Sequence, residues 1–253
     1  MALLDTAIIL CATQRCGSTM VVEDMRNTGE LGLPEEWFLP WAAEKPDINW
    51  RQALAGVAQR AQSDNGVVAL KIMANQLGPV EDCLAQFMPP DFASPFGRFA
   101  QITRAAHFVY IMREDIVLQA VSRLIARQTG INHATRHKDD PHFAGNLLAG
   151  YDPGYNAETH YSYEDIRNEC RSITLENLLW QHFFSVHAIT PLILRYEQLC
   201  RDSTMRHLDQ IATLAGLPAP QRREERKMVK MGNQRNAQWR GRFFTDLVTR
   251  GFS

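Results

Sequence analysis

Leu10-Cys11-Ala12-Thr13-Gln14-Arg15-Cys16-Gly17-Ser18-Thr19-Met20 decides how the chain is read. The apolar run Ala7 to Ala12 predicts a buried strand, and Ser18 and Thr19 open a helix. A short turn with Arg15 and Gly17 joins them. The first amides of a helix have no partner inside it and carry the positive end of its dipole, so such a turn attracts anions. Arg15 adds a planar cationic fork, and the two hydroxyls add donors. The ligand this chemistry suits is a phosphate or phosphosulfate. An ordinary strand-to-helix turn with a capping serine would look the same. The turn has one glycine and no lysine, so it is neither a GxxxxGK[ST] loop nor a GxGxxG turn.

Three further apolar runs predict strands over Val67–Met73, His107–Met112 and Pro191–Tyr196. Helical spacing is seen over Thr19–Asn27, Trp50–Gln62, Asn75–Phe87, Asp115–Gln128, Tyr163–Ala188 and Arg206–Ala215, with a short final helix after Asn236 and Trp239. Strand and helix alternate, which predicts an α/β fold with a mostly parallel central sheet flanked by helices on both faces. The helix of residues 163–188 is expected to bury Ile166, Cys170, Ile173, Leu178 and Phe183, with Trp180 and Phe184 in the core. Met88 to Pro95, with three prolines, reads as a loop.

Lys71 interrupts the second apolar run near its C-terminal end. A lysine in a buried strand is costly unless paired, and ligands of parallel sheets gather at that end. Lys71 is therefore better explained as a site residue than as filler. Pro34-Glu35-Glu36 reads either as a helix start carrying N-terminal charge or as the position of a general base. Trp37, Phe38 and Trp41 suit either a sugar-stacking surface or the core. Arg222 to Lys230, with Arg235 beyond, is a basic run. It is either a solvated face or a phosphate-binding tail.

Composition bounds the rest. The 253 residues suffice for one α/β domain, expected to span 1–253, in which the irregular stretch 130–163 is a lid or acceptor-site insertion. Net charge is −1, which gives no global field toward nucleic acid or membranes. The five cysteines, Cys11, Cys16, Cys83, Cys170 and Cys200, have no CxxC spacing, which argues against a zinc site or disulfide scaffold and for a reducing cytoplasm. His133, His137, His142 and His160 fall in no metal-ligand pattern, so no metal is expected. The N-terminal apolar run is too short for a signal peptide or a membrane span.

Several of these landmarks together resemble the sulfotransferase superfamily, and within it the bacterial trehalose 2-sulfotransferase family. The resemblance is carried by Leu10–Thr19, Val22–Arg26, Pro34–Phe38, Gly66–Met73, Met112–Ser122, Leu194–Leu199 and Asn236–Trp239. It implies a P-loop-like sulfotransferase fold and 3′-phosphoadenosine 5′-phosphosulfate (PAPS) as donor. Gln14, Arg15, Cys16, Gly17, Ser18 and Thr19 would then hold the 5′-phosphosulfate, and Arg113 with the helical Ser122 nine residues on would hold the 3′-phosphate. The Lys-x-His of many cytosolic members is here Lys71 and Met73, so the histidine base is absent. In the trehalose-type family a glutamate after the first helix takes that role, which gives it to Glu36, with Glu35 as the second choice. Arg15 and Lys71 would stabilise transferring charge. Cys16 stands where the family usually has serine, and its position at a helix start favours a lowered thiol pKa. The resemblance also implies a sugar or other hydroxyl-bearing acceptor and a homodimer.

Three other readings compete on the residues alone. A nucleotide kinase lacks its Walker lysine and an Asp-rich magnesium motif. A non-catalytic nucleotide-binding protein would share the anion site. A dimerising scaffold would use an exposed Trp37-Phe38-Leu39 patch.

Overall fold

The computed structural model describes residues 4, 6–42, 48–89, 94–141 and 145–251. His142 and residues 90–93 of the proline-rich loop lie outside them. The chain folds as two compact units, the first of residues 1–112 with 176–224 and the second of 113–175 with 225–253.

The first unit is built on a four-stranded parallel sheet of β1 (Ile8–Ala12), β2 (Ala69–Met73), β3 (His107–Met112) and a later strand, Leu192–Arg195, in the order β2, β1, β3, Leu192–Arg195. Every residue of β1 and β2 is buried, as continuous apolar runs in parallel sheets require. The helices are α1 (Ser18–Thr28), α2 (Trp50–Arg60), α3 (Leu77–Ala85) and α4 (Gly97–Ile102). The second unit supplies α5 (Ile116–Thr129), a short parallel pair β4 (His133–Ala134) and β5 (Leu147–Leu148), and the start of α6 (Tyr163–Val186). Then come β6, the strand Leu192–Arg195, with α7 (Tyr196–Leu199), α8 (Arg206–Leu214) and, in the second unit, α9 (Gln234–Arg250).

Successive residues of a strand face opposite sides of the sheet. Ile9, Cys11, Leu70, Ile72, Phe108 and Tyr110 join one core cluster with residues of α2, α3, α4 and the end of α6. Ile8, Leu10, Val109 and Ile111 are equally buried, so the opposite face is covered too. Buried residues of α1 and α8 are linked by His207 Nε2, 2.9 Å from Asp24 Oδ2. The second unit has its own core, in which Val121, Leu124 and Ile125 of α5 meet Ile166 and Ile173 of α6 and Trp239 and Phe243 of α9.

Four expectations need correction. The final helix is not short but runs for 17 residues, with Asn236 closing a capping box on Asn233. Leu178 is exposed, because it lies five residues, hence about 140° of helical rotation, beyond buried Ile173. Pro34-Glu35-Glu36 starts no helix; the segment is irregular and lies along the outer edge of β2. All three outward amides of β2 are used: Ala69 N–H donates to Ala61 O (3.0 Å), Lys71 N–H to Glu35 O (3.0 Å) and Met73 N–H to Gln76 Oε1 (3.1 Å).

The fourth concerns the aromatic patch. Phe38 is fully buried and meets Trp41 edge-to-face with centroids 4.9 Å apart; only Leu39 of the three is largely exposed. Trp37 packs beside this core, donating Nε1–H to Leu33 O (3.0 Å) under the guanidinium of Arg60. These aromatics are core, not a docking surface. Phe38→Ala should therefore destabilise the protein by about 3–5 kcal/mol in urea unfolding, the usual cost of emptying an aromatic core position.

Candidate active site

The turn between β1 and α1 has the shape its sequence suggests. Gly17 is the N-cap of α1 at φ 93°, with no side-chain cap, and Arg15 also stands in the left-handed region at φ 65°. A non-glycine residue there costs about 1–2 kcal/mol, so the turn holds its arginine against strain. Cys16 N–H donates to Thr13 O (3.3 Å), which tightens the turn below the helix start. The ring of Tyr196, the first residue after β6, lies against Gly17: a Cβ there would come 2.4 Å from Tyr196 Cδ2. Glycine is required at 17 by backbone and space together.

Cys16 departs from expectation. Its side chain is fully buried, and that burial pushes the thiol above its ordinary pKa. Hydrogen bonds from Thr13 and Ser18 and the charge of Lys71 pull the other way without overcoming it. The group is a neutral thiol packed under the turn.

Lys71 lies on β2 in register with Leu10, just before the strand ends, and its side chain is 6% exposed. Its Nζ is 2.9 Å from Glu36 Oε1. The other oxygen, Glu36 Oε2, accepts from Gln76 Nε2 at 2.7 Å. Glu36 thus sits beside the sheet's C-terminal end with both oxygens held. The anchors on either side explain why: Lys71 N–H holds Glu35 O, while Trp37 and Phe38 lock into the core. Glu35 is turned elsewhere, with Oε2 3.7 Å from Arg26 Nη1 of α1.

The first unit therefore carries the turn Gln14–Thr19 together with the paired Lys71 and Glu36, and separates Glu36 from Glu35 by their partners. Arg113 and Ser122 belong to the second unit, Arg113 directly after β3 and Ser122 two turns into α5, whose N-cap Asp115 accepts from Leu118 N–H at 2.8 Å. In the basic run, Arg223 bonds Thr204 O and pairs with Asp209, Arg222 pairs with Glu224, and Arg235 bonds Thr159 O. The run also forms structure: Met228 bridges Thr135, and Val229 N–H donates to Ala134 O, beside β4. Two residues here were given no role by the sequence, Gln76 and Tyr196, although Tyr196 stands in the resembling block Leu194–Leu199. Each lies just beyond the C-terminal end of a strand, the one positional signal available for them.

The family model described as Stf0 sulphotransferase matches residues 7–246. The chain belongs to the Stf0 sulphotransferase family. Its relatives include the trehalose 2-sulfotransferases of Mycobacterium tuberculosis, 27% identical with 93% of each chain covered, and of Mycolicibacterium smegmatis, 26% identical with 97% of each covered. A solved sulfotransferase from Alicyclobacillus acidocaldarius aligns over 96% of this chain and 92% of its own, at 10% identity and a TM-score of 0.45. This Stf0 sulphotransferase is thus an enzyme of the sulfuryl-transferring class. Among the described residues there is no cluster of three or more His, Cys, Asp or Glu suited to a metal ion, and no helix long and apolar enough to cross a membrane.

Proposed function

We propose that this enzyme moves a sulfuryl group from PAPS to a hydroxyl of a carbohydrate or glycolipid acceptor, with Glu36 as general base. The observation that carries the reading is the ion pair of Glu36 with Lys71, which lies in register with Leu10 on the strand that runs into the turn. The trehalose 2-sulfotransferase relatives make a sugar hydroxyl the favoured acceptor.

The donor, when bound, supplies the sulfuryl group. The turn fits it: a helix start capped only by a left-handed glycine, with an arginine held in the same conformation, is built for an anionic ester. In the transfer, the acceptor oxygen forms a bond to sulfur, the bond from sulfur to the bridging phosphate oxygen breaks, and the hydroxyl proton goes to Glu36. Arg15, Lys71 and the amides of Gly17 to Thr19 offset charge on the bridging and sulfuryl oxygens. Catalysis of this kind works chiefly by alignment and charge stabilisation, as in phosphoryl transfer. Arg113 and Ser122 keep, within this proposal, the 3′-phosphate role that the resemblance implies. A homodimer and a cytoplasmic setting belong to the same proposal.

The test is incubation of the purified protein with radiolabelled donor and a panel of sugars, trehalose among them, and glycolipids. Label should appear on an acceptor hydroxyl. Binding of adenosine 3′,5′-bisphosphate with no transfer to any acceptor would leave a nucleotide-binding protein without this activity.

A further inference from the structure

Gln76 carries a second layer of the site. It stands in the short 3-10 turn after β2 and is 4% exposed. Its Oε1 accepts from the backbone N–H of Met73 at 3.1 Å, and its Nε2 donates to Glu36 Oε2 at 2.7 Å. The first contact fixes the second. A backbone N–H can only donate, so the amide oxygen must face Met73, and the NH₂ is left facing the carboxylate.

The two donors that hold Glu36 differ in kind. Lys71 is a point charge on a flexible stem of four carbons, 2.9 Å from Oε1, and it can swing toward another anion. Gln76 is locked to the end of β2 and has no such freedom. We propose that Gln76 is a positioning residue for sulfuryl transfer. It keeps the Glu36 carboxylate aimed at the acceptor hydroxyl while Lys71 turns to the sulfuryl oxygens. This rests on the assignment of Glu36 as base.

The variants separate the contacts. Gln76→Ala removes both. Gln76→Glu keeps an acceptor for Met73 N–H but sets a second carboxylate against Glu36, so the backbone tie survives while the donated bond gives way to like-charge repulsion or a proton shared with Glu36. Both should lower kcat about 10- to 100-fold, the scale expected when a reacting group is misplaced by about an ångström. KM for the nucleotide donor should stay within about twofold, because uniform donor binding does not depend on Gln76.

The deciding measurement is a double-mutant cycle with Glu36→Gln. If Gln76 acts through Glu36, adding Gln76→Ala to Glu36→Gln lowers the residual rate less than about threefold. Multiplicative losses in the double variant, unchanged kcat in both single variants, or a raised donor KM at constant kcat would each overturn the role of Gln76 alone. Near-normal turnover of Glu36→Gln by itself would overturn the base assignment and this role with it. Should Gln76→Ala fail to fold, Gln76→Met, which fills the same space without making either bond, carries the cycle.

Discussion

Glu36→Gln lowers turnover about 10²- to 10⁴-fold, the usual worth of a positioned general base, without weakening affinity for adenosine 3′,5′-bisphosphate. The expectation follows from what the substitution touches. The turn Gln14–Thr19 is unaltered, so the anion grip persists, while the acceptor hydroxyl has no carboxylate to take its proton. The control is its neighbour. Glu35 meets Arg26 at 3.7 Å and is partly exposed, and pairs of that kind contribute between about 0 and 1 kcal/mol. Glu35→Gln should therefore alter turnover less than about threefold. Single-turnover kinetics with labelled donor, beside calorimetric titration of the bisphosphate, reads both quantities. A folded Glu36→Gln protein with near-normal turnover discards the assignment.

Gly17→Ala should weaken the anion grip for two separable reasons. At φ 93° an alanine pays about 1–2 kcal/mol for a left-handed backbone, and its Cβ would stand 2.4 Å from Tyr196 Cδ2. That distance cannot persist, so either the ring or the turn moves. Affinity for adenosine 3′,5′-bisphosphate should fall at least about tenfold, since each 1.4 kcal/mol is a factor of ten. Adding Tyr196→Ala relieves the collision and leaves the backbone term, so the double variant should regain part of the loss. Affinity equal to that of the unaltered protein in Gly17→Ala would mean that the turn is not where the donor is held.

The sheet could be read from the sequence because strands covered on both faces, as β1 and β2 are, leave continuous apolar runs, and the edge strand β6 kept such a run although Ile193 is exposed. The strand-to-helix turn was legible through Arg15, Gly17 and Ser18, and Lys71 was legible because a cation in a buried strand demands a reason. The segment Pro34–Phe38 misled, since a proline followed by two acids is also how helices begin. Its true partner, the Lys71 amide, lies on a distant strand, and no local signal announces such a pairing. Gln76 was silent for a related cause: a glutamine after a strand is unremarkable until its two bonds are seen. Cys16 was misjudged because the pull of a helix start was weighed without its burial, which dominates. Leu178 failed on rotation: Ile166, Ile173 and Trp180, each seven residues apart, are among the buried positions of α6, and Leu178 lies off their line.

The outward amides of β2 have one more consequence. An open strand at the border of a sheet is a template on which other chains can assemble. Here that border is sealed by Ala61, Glu35 and Gln76. Two of the three plugs flank or hold Glu36. A lesion that loosens this strip would disarm the enzyme and at the same moment leave it sticky, so inactive variants of this region should be sought among aggregates as well as in the soluble fraction.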